Sequence, residues 1–293
     1  MSTISRLRAA DESLTSGRGP HRHPRSRFSA GFSVSVSVLT LAFTLGLAAR
    51  WISPFDPYEQ HLGERLARPS RTHPLGTDGL GRDVASRLLW GTRSSLALAL
   101  ISTAAALPIG SALGLLAAFF GGGYEAVIGS LTDALLAFPA LLVALVIVAM
   151  VGQGFWQLVI ALGIATMPQF IRIMRGEVFS ILSREFVEAA RAIGADDRRI
   201  VLRHILPHTF TPLVVLASLV AARNIVVEAS LGFLGLGIQR PTPTWGNVLN
   251  DGYQVLRSAP WVSIAPGAAI ALVALAFNLI GDALRDRWDP HLG

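Results

Sequence analysis

The chain has 293 residues, of which 52 % are hydrophobic and only 15 % are charged. A soluble globular domain carries about 25 % charged residues, so this composition excludes an ordinary soluble globule and indicates contact with lipid. The chain has a formal charge of +6 and contains neither cysteine nor lysine. The absence of cysteine excludes disulfides and thiolate chemistry, and the absence of lysine excludes Schiff-base catalysis and the lysine of a phosphate-binding loop. We therefore do not expect the chain to hydrolyse ATP on its own.

The 25 basic residues are all arginines, and they lie mainly between apolar blocks. Positive flanks of this kind are typical of membrane spans, whereas a nucleic-acid-binding protein presents a basic face. The seven histidines form no helix-spaced metal motif. We expect no catalytic residue, no bound metal or cofactor, and no nucleic-acid partner.

The N-terminal part of the chain divides into three segments. Residues 1–27 are polar and rich in arginine, which predicts a disordered cytoplasmic tail. The apolar run 28–49 is long enough to cross about 30 Å of hydrocarbon. It lacks a clear small-residue cleavage site, so it predicts a retained first transmembrane helix and not a secretion signal. Residues 50–93 predict an external loop, with a short surface helix from Asp83 to Trp90.

The rest of the chain predicts a membrane domain over 94–282 and a cytoplasmic tail over 283–293. The expected fold is an all-α polytopic membrane protein of about six transmembrane helices, which places both termini on one side. Fifteen arginines fall in the cytoplasm and nine outside if the N-terminus is cytoplasmic, which favours that orientation. The five further spans are predicted at 94–120, 134–151, 155–171, 212–236 and 262–281.

A cytoplasmic loop over residues 184–207 predicts two short helices that meet at a glycine. Its first part has apolar side chains three or four residues apart on one side. Gly194 is placed to end the first helix in a left-handed conformation. Asp196 or Asp197 caps the second helix, and Pro207 stops it. The pattern fits both a solvated loop helix and a docking element for another protein.

The residues of this loop also carry a family resemblance. Glu188-Ala189-Ala190, Gly194 and Ile205-Leu206-Pro207 resemble the EAA signature of the inner-membrane permeases of binding-protein-dependent ABC importers. His204 stands where the general pattern has isoleucine, and this form resembles the dipeptide, oligopeptide and nickel branch. The resemblance implies that the hairpin is a coupling helix seated on an ATPase subunit, with coupling residues Glu188, Ala189, Ala190, Gly194, Arg203, His204, Leu206 and Pro207.

Further motifs resemble the C-type permease subunits of that branch and extend the match over about residues 52–289. The resemblance implies a type I ABC importer permease fold that forms half of a translocation pathway in the bacterial inner membrane. The implied partners are a homologous permease in a heterodimer, two ATPase subunits that bind ATP and Mg, and an external substrate-binding protein. Peptides are the expected cargo, with nickel chelates or glutathione-type compounds as alternatives. The motifs lie at 73–84, 131–139, 228–237, 243–247 and 278–282.

Polar residues within the predicted spans are expensive in lipid and point to function or to interhelical contact. Asp133, Arg223, Asn224 and Glu228 fit either a gate or polar contacts between helices. A proton- or ion-coupled secondary transporter that uses Asp133 and Glu228 is the alternative of another class, and it predicts internal repeats that the sequence does not show. An intramembrane enzyme needs a convergent acid–base or metal constellation, which the spacing of these residues does not form.

Overall fold

A computed structural model describes residues 25–288, with side chains from residue 31 onward. Most of the predicted N-terminal tail and the last five residues lie outside the described part. The helices are α1 (Arg25–Ile52), α2 (Val84–Phe120), α3 (Gly122–Leu136), α4 (Ala140–Val151), α5 (Phe155–Leu182), α6 (Glu185–Ala192), α7 (Asp197–Ile200), α8 (Leu206–Phe233), α9 (Trp245–Tyr253) and α10 (Trp261–Trp288).

The described residues form an all-α polytopic membrane protein, as the sequence predicts. Five helical stretches are long and apolar enough to cross a membrane, namely 31–52, α2, α5, 197–233 and α10. The pair α3 and α4 makes a sixth span if it is counted as one. Helices suit this environment because they satisfy their backbone hydrogen bonds internally, where lipid offers no partner.

The third predicted span, 134–151, is not one straight helix. It falls across the junction of α3 and α4, whose axes are bent by 98°. Pro139 is the N-cap of α4 and has no backbone N–H group, so it cannot continue the hydrogen-bond ladder of α3. Asp133 therefore lies in the last turn of α3 and not at the start of a span.

The structure also differs from the predicted separate surface helix over Asp83–Trp90. Asp83 is the N-cap of α2, and its carboxylate accepts a 2.7 Å hydrogen bond from the Ser86 backbone N–H. From there the helix runs unbroken through the second span to Phe120. No proline lies between Val84 and Ser94 to break the helix, so the predicted surface helix and the predicted span form one element.

The most extensive helix pairing joins α2 and α5, which run parallel. Gly110 and Gly114 on α2 face the backbone and side chains of Met167 to Met174 on α5. A Cβ atom at Gly114 would lie 2.6 Å from the Ile171 carbonyl oxygen. Small residues four apart on a helix let the two backbones come close together. The van der Waals contacts that result help to hold the spans together, because the hydrophobic effect does not drive helices together within lipid.

We predict that Gly114→Ala destabilises the protein, because its Cβ would also lie 2.9 Å from Met174 Cβ. Overpacking of this kind costs about 1–3 kcal/mol of unfolding free energy. Gly176→Ala on α5 is the matched control, since no described atom lies within 4 Å of the place that its Cβ would take. Thermal unfolding of the detergent-solubilised protein measures both, and equal unfolding temperatures for the two variants would contradict the prediction.

Candidate functional site

The hairpin over residues 184–207 has the two caps that the sequence predicts. Gly194 follows α6 with φ +84°, and the backbone N–H of Ala195 donates to the Ala190 carbonyl at 3.0 Å. Asp196 caps α7 by accepting a 3.2 Å hydrogen bond from the Arg199 backbone N–H. A left-handed glycine of this kind reverses the chain sharply, so the two helices form a compact turn.

Pro207 does not stop the second helix, which corrects the sequence-based expectation. The chain passes from α7 through a π-helical turn, Val201–Ile205, directly into α8. Pro207 lies just after this π-helical turn and has no N–H group to donate, but the helix continues past it into α8. The second arm of the hairpin is therefore the start of a transmembrane span, and a displacement of the hairpin acts on that span directly.

The inner side of the hairpin is anchored in a hydrophobic core. Val187, Ile200 and Ile205 are buried in one cluster with Val178 on α5 and Leu213 on α8. Close-packed interiors transmit displacement because they compress little. The hairpin and the inner ends of α5 and α8 are therefore one packed unit.

The outer side of the hairpin is uncovered. Glu188 and Ala189 are exposed, whereas Ala190 is buried at the base of α6. Ile193, at the tip beside Gly194, is 86 % exposed, the largest exposure among the exposed large apolar side chains of the described residues. An apolar tip flanked by charge is suited to contact another protein. The sequence-based coupling set omits Ile193, although its place before the helix-ending glycine marks it as a tip residue.

The remaining predicted coupling residues follow the turn into α8. Arg203, Leu206 and Pro207 are exposed. The His204 ring lies 5.7 Å from the Phe186 ring, and His208 stacks on the same ring at 5.9 Å. This aromatic contact fastens α6 to the start of α8, and His208 is a member that the sequence-based set also omits.

The structure separates the four polar residues of the predicted spans. Asn224 Nδ2 donates to Ser102 Oγ at 3.1 Å and to Thr103 Oγ1 at 3.0 Å. The carboxyl group of Glu228, one turn later, is fully buried near Ser95 and Thr244, but neither of its oxygens accepts a hydrogen bond within the described residues. Asn224 therefore makes polar contacts between α8 and α2, whereas Glu228 is buried between helices without a hydrogen-bond partner.

Asp133 and Arg223 do not join that set. The Asp133 side chain is 72 % exposed, and its Oδ1 lies 3.8 Å from Arg172 Nη2, a loose surface pair of small energetic value. Arg223 is exposed on the other side of α8 from Asn224. The four residues thus do not form one gate, and each has its own surroundings.

A buried ion network at the opposite end of the molecule was not predicted. Arg87 Nη1 on α2 donates to Asp78 Oδ2 at 2.5 Å and lies 2.9 Å from Asp251 Oδ2 on α9. Arg82 joins the same two carboxylates, at 2.7 Å and 2.9 Å, and Arg240 contacts Asp251. Arg82 and Asp251 are 169 residues apart, so no local pattern could have paired them.

Comparison with known proteins matches the chain to transport components. Residues 110–293 match the family described as binding-protein-dependent transport system inner membrane component. The chain is 39 % identical to the dipeptide transport system permease protein DppC of Alkalihalophilus pseudofirmus, over 88 % of this chain and 85 % of that protein. It is 42 % identical to the glutathione transport system permease protein GsiD of Pectobacterium atrosepticum, over 86 % and 84 % of the two chains.

A solved structure of a transporter has the same fold as this chain. An inward-facing form of the MetNI methionine ABC transporter matches with a TM-score of 0.53, over 67 % of this chain and 95 % of that chain. The sequence identity is 20 %, so this likeness shows the fold alone.

We predict that Asp78→Asn destabilises the segment over residues 50–83, because it leaves the buried Arg82 and Arg87 short of one negative charge. Removing one partner of a buried ion pair costs about 3–5 kcal/mol. Glu59→Gln is the control, since Glu59 makes an exposed contact with His61 at 3.5 Å. Thermal unfolding and protease cleavage within residues 50–83 measure the effect, and equal cleavage rates in the two variants would count against it.

Proposed function

The chain belongs to the family of binding-protein-dependent transport system inner membrane components, and we propose that it is the peptide-carrying permease subunit of a bacterial ABC importer. Its relatives at about 40 % identity are dipeptide and glutathione permeases, which supports a cargo of small peptides. Dipeptide-type cargo is the first candidate. Glutathione-type cargo is the second, because the glutathione permeases match equally well.

The observation that carries this proposal is the hairpin, which has an uncovered tip and a buried base. Ile193 and Ala189 are exposed at the tip, while Val187 and Ile200 are packed into the core that holds α5 and α8. This arrangement suits an element that receives motion from one protein and passes it into transmembrane helices. The proposed donors of that motion are two ATPase subunits, which bind ATP and Mg, so that this chain itself needs no cofactor and carries out no chemistry.

In the proposed assembly a homologous permease forms the other half of the pathway as a heterodimer. Both termini and the hairpin face the cytoplasm, and the buried ion network faces outward. The segments 50–93 and 239–261 then meet the external binding protein. The ion network supports this role, because it fixes part of both segments against each other.

Two substitutions in the hairpin test the coupling role. Ile193→Asp places a charge at the tip contact, and Gly194→Ala strains the turn at φ +84°, a conformation that costs a non-glycine residue about 1–2 kcal/mol. We expect both to reduce ATP-driven uptake at least tenfold while membrane insertion stays intact. Gly176→Ala is the control, since it removes a helical glycine in open space. Unchanged uptake in both hairpin variants would refute coupling through this element.

The cargo is tested with the complete importer, reconstituted in liposomes with its ATPases and binding protein. We expect ATP-dependent uptake of a labelled dipeptide, and competition by glutathione measures the second candidate. Preferential uptake of glutathione would replace dipeptides as the cargo. Ion-driven uptake by the permease without ATPase subunits would overturn the importer assignment in favour of a secondary transporter.

A further inference from the structure

One stripe of α8 is uncovered along its outer half. Arg223, Val226 and Leu234 are exposed, and their separations of three and eight residues place them on one side of the helix. The other side of the same turns is buried against α2, α5 and α10, through residues such as Asn224 and Ile225. The stripe is therefore the exposed side of turns whose other sides are buried.

Arg223 lies deep within the span. It precedes the end of α8 at Phe233 by ten residues, or roughly 15 Å at 1.5 Å per residue, which is near the middle of a 30 Å hydrocarbon layer. An arginine facing lipid at that depth costs at least about 2.5–3.5 kcal/mol. Within residues 31–288 its guanidinium has no hydrogen-bond or ion-pair partner. The stripe therefore faces protein or water and not lipid.

The hydrogen bonds of Asn224, the next residue in the chain, fix the direction in which Arg223 points. Asn224 is tied to Ser102 and Thr103 on α2, which sets the rotation of α8 about its axis. Successive residues of an α-helix point about 100° apart, so Arg223 is held away from α2. The hydrogen bonds between α8 and α2 therefore determine that Arg223 lies on the exposed stripe.

We infer that Arg223 faces the translocation pathway and binds a carboxylate of the passing cargo. The inference rests on the proposed function, since it takes the cargo to be a small peptide. Dipeptides and glutathione, the cargoes in the names of the two relatives, share a free α-carboxylate. A guanidinium recognises a carboxylate through two parallel hydrogen bonds, and Arg223 has all its donors available for them.

The test compares two forms of one peptide in the complete importer. Uptake of a dipeptide with a free C-terminal carboxylate is measured beside uptake of its C-terminal amide, both at concentrations that saturate the binding protein. We expect Arg223→Gln to lower uptake of the free acid about tenfold and to reduce its preference over the amide. Arg223→Lys retains part of that preference, because it keeps the charge but loses the bidentate geometry. Arg285→Gln, at an exposed arginine in the last turn of α10, is the matched control and leaves both rates within twofold.

Three results would overturn the inference. An unchanged preference in Arg223→Gln, in an importer that still carries the peptide, means that Arg223 does not read the carboxylate, and it leaves the proposed function intact. Loss of the partner permease on purification of Arg223→Gln means that Arg223 pairs with an acidic group of that subunit. A wild-type importer that carries no peptide overturns both the cargo assignment and the inference.

Discussion

The buried guanidinium of Arg87 imposes the strictest constraint in this molecule. It is fully excluded from solvent at the N-terminal end of α2, and a buried charge is tolerated only when opposite charges surround it. Asp78 and Asp251 provide those charges from two segments far apart in the sequence. Pairing this one arginine therefore holds the loop before α2 against α9. Below this level the same helix presents Ser102 and Thr103 toward α8.

The half of the molecule that carries the hairpin is held by apolar packing instead. One buried cluster extends from Val187 and Ile200 in the hairpin to Val220 on α8. Val220 lies three residues before Arg223, or about 4.5 Å along the helix axis. A close-packed cluster moves as a unit because its interior compresses little. The coupling motion proposed for the hairpin therefore reaches the segment of α8 whose open stripe carries Arg223, while the ion network holds the opposite end of the helices together.

The sequence predicts local features well, and the structure shows why it fails elsewhere. Gly194 and Asp196 act through their own backbone and immediate neighbours, so their capping roles can be read from the residues alone. Pro139 and Pro207 show the limit, because one proline breaks a span while the other lies in a helix that continues past it, and the difference depends on how the flanking helices pack. Asp251 could not be paired with Arg87 at all, since only the tertiary fold brings them together.

Two kinds of polar residue lie close together in the span formed by α8. Asn224 and Glu228 are buried against neighbouring helices, and the two hydrogen bonds that the Asn224 amide donates fix how α8 packs on α2. Arg223, adjacent in sequence, points to the uncovered side and has no partner within the described chain. The Asn224 amide group donates to two hydroxyls of the next helix, although its buried Oδ1 accepts no hydrogen bond within the described residues. An unpaired cation at mid-depth instead needs protein, water or an anion beside it that this chain does not supply. Burial and pairing, more than position in the sequence, therefore mark which intramembrane residue is free to act on a ligand.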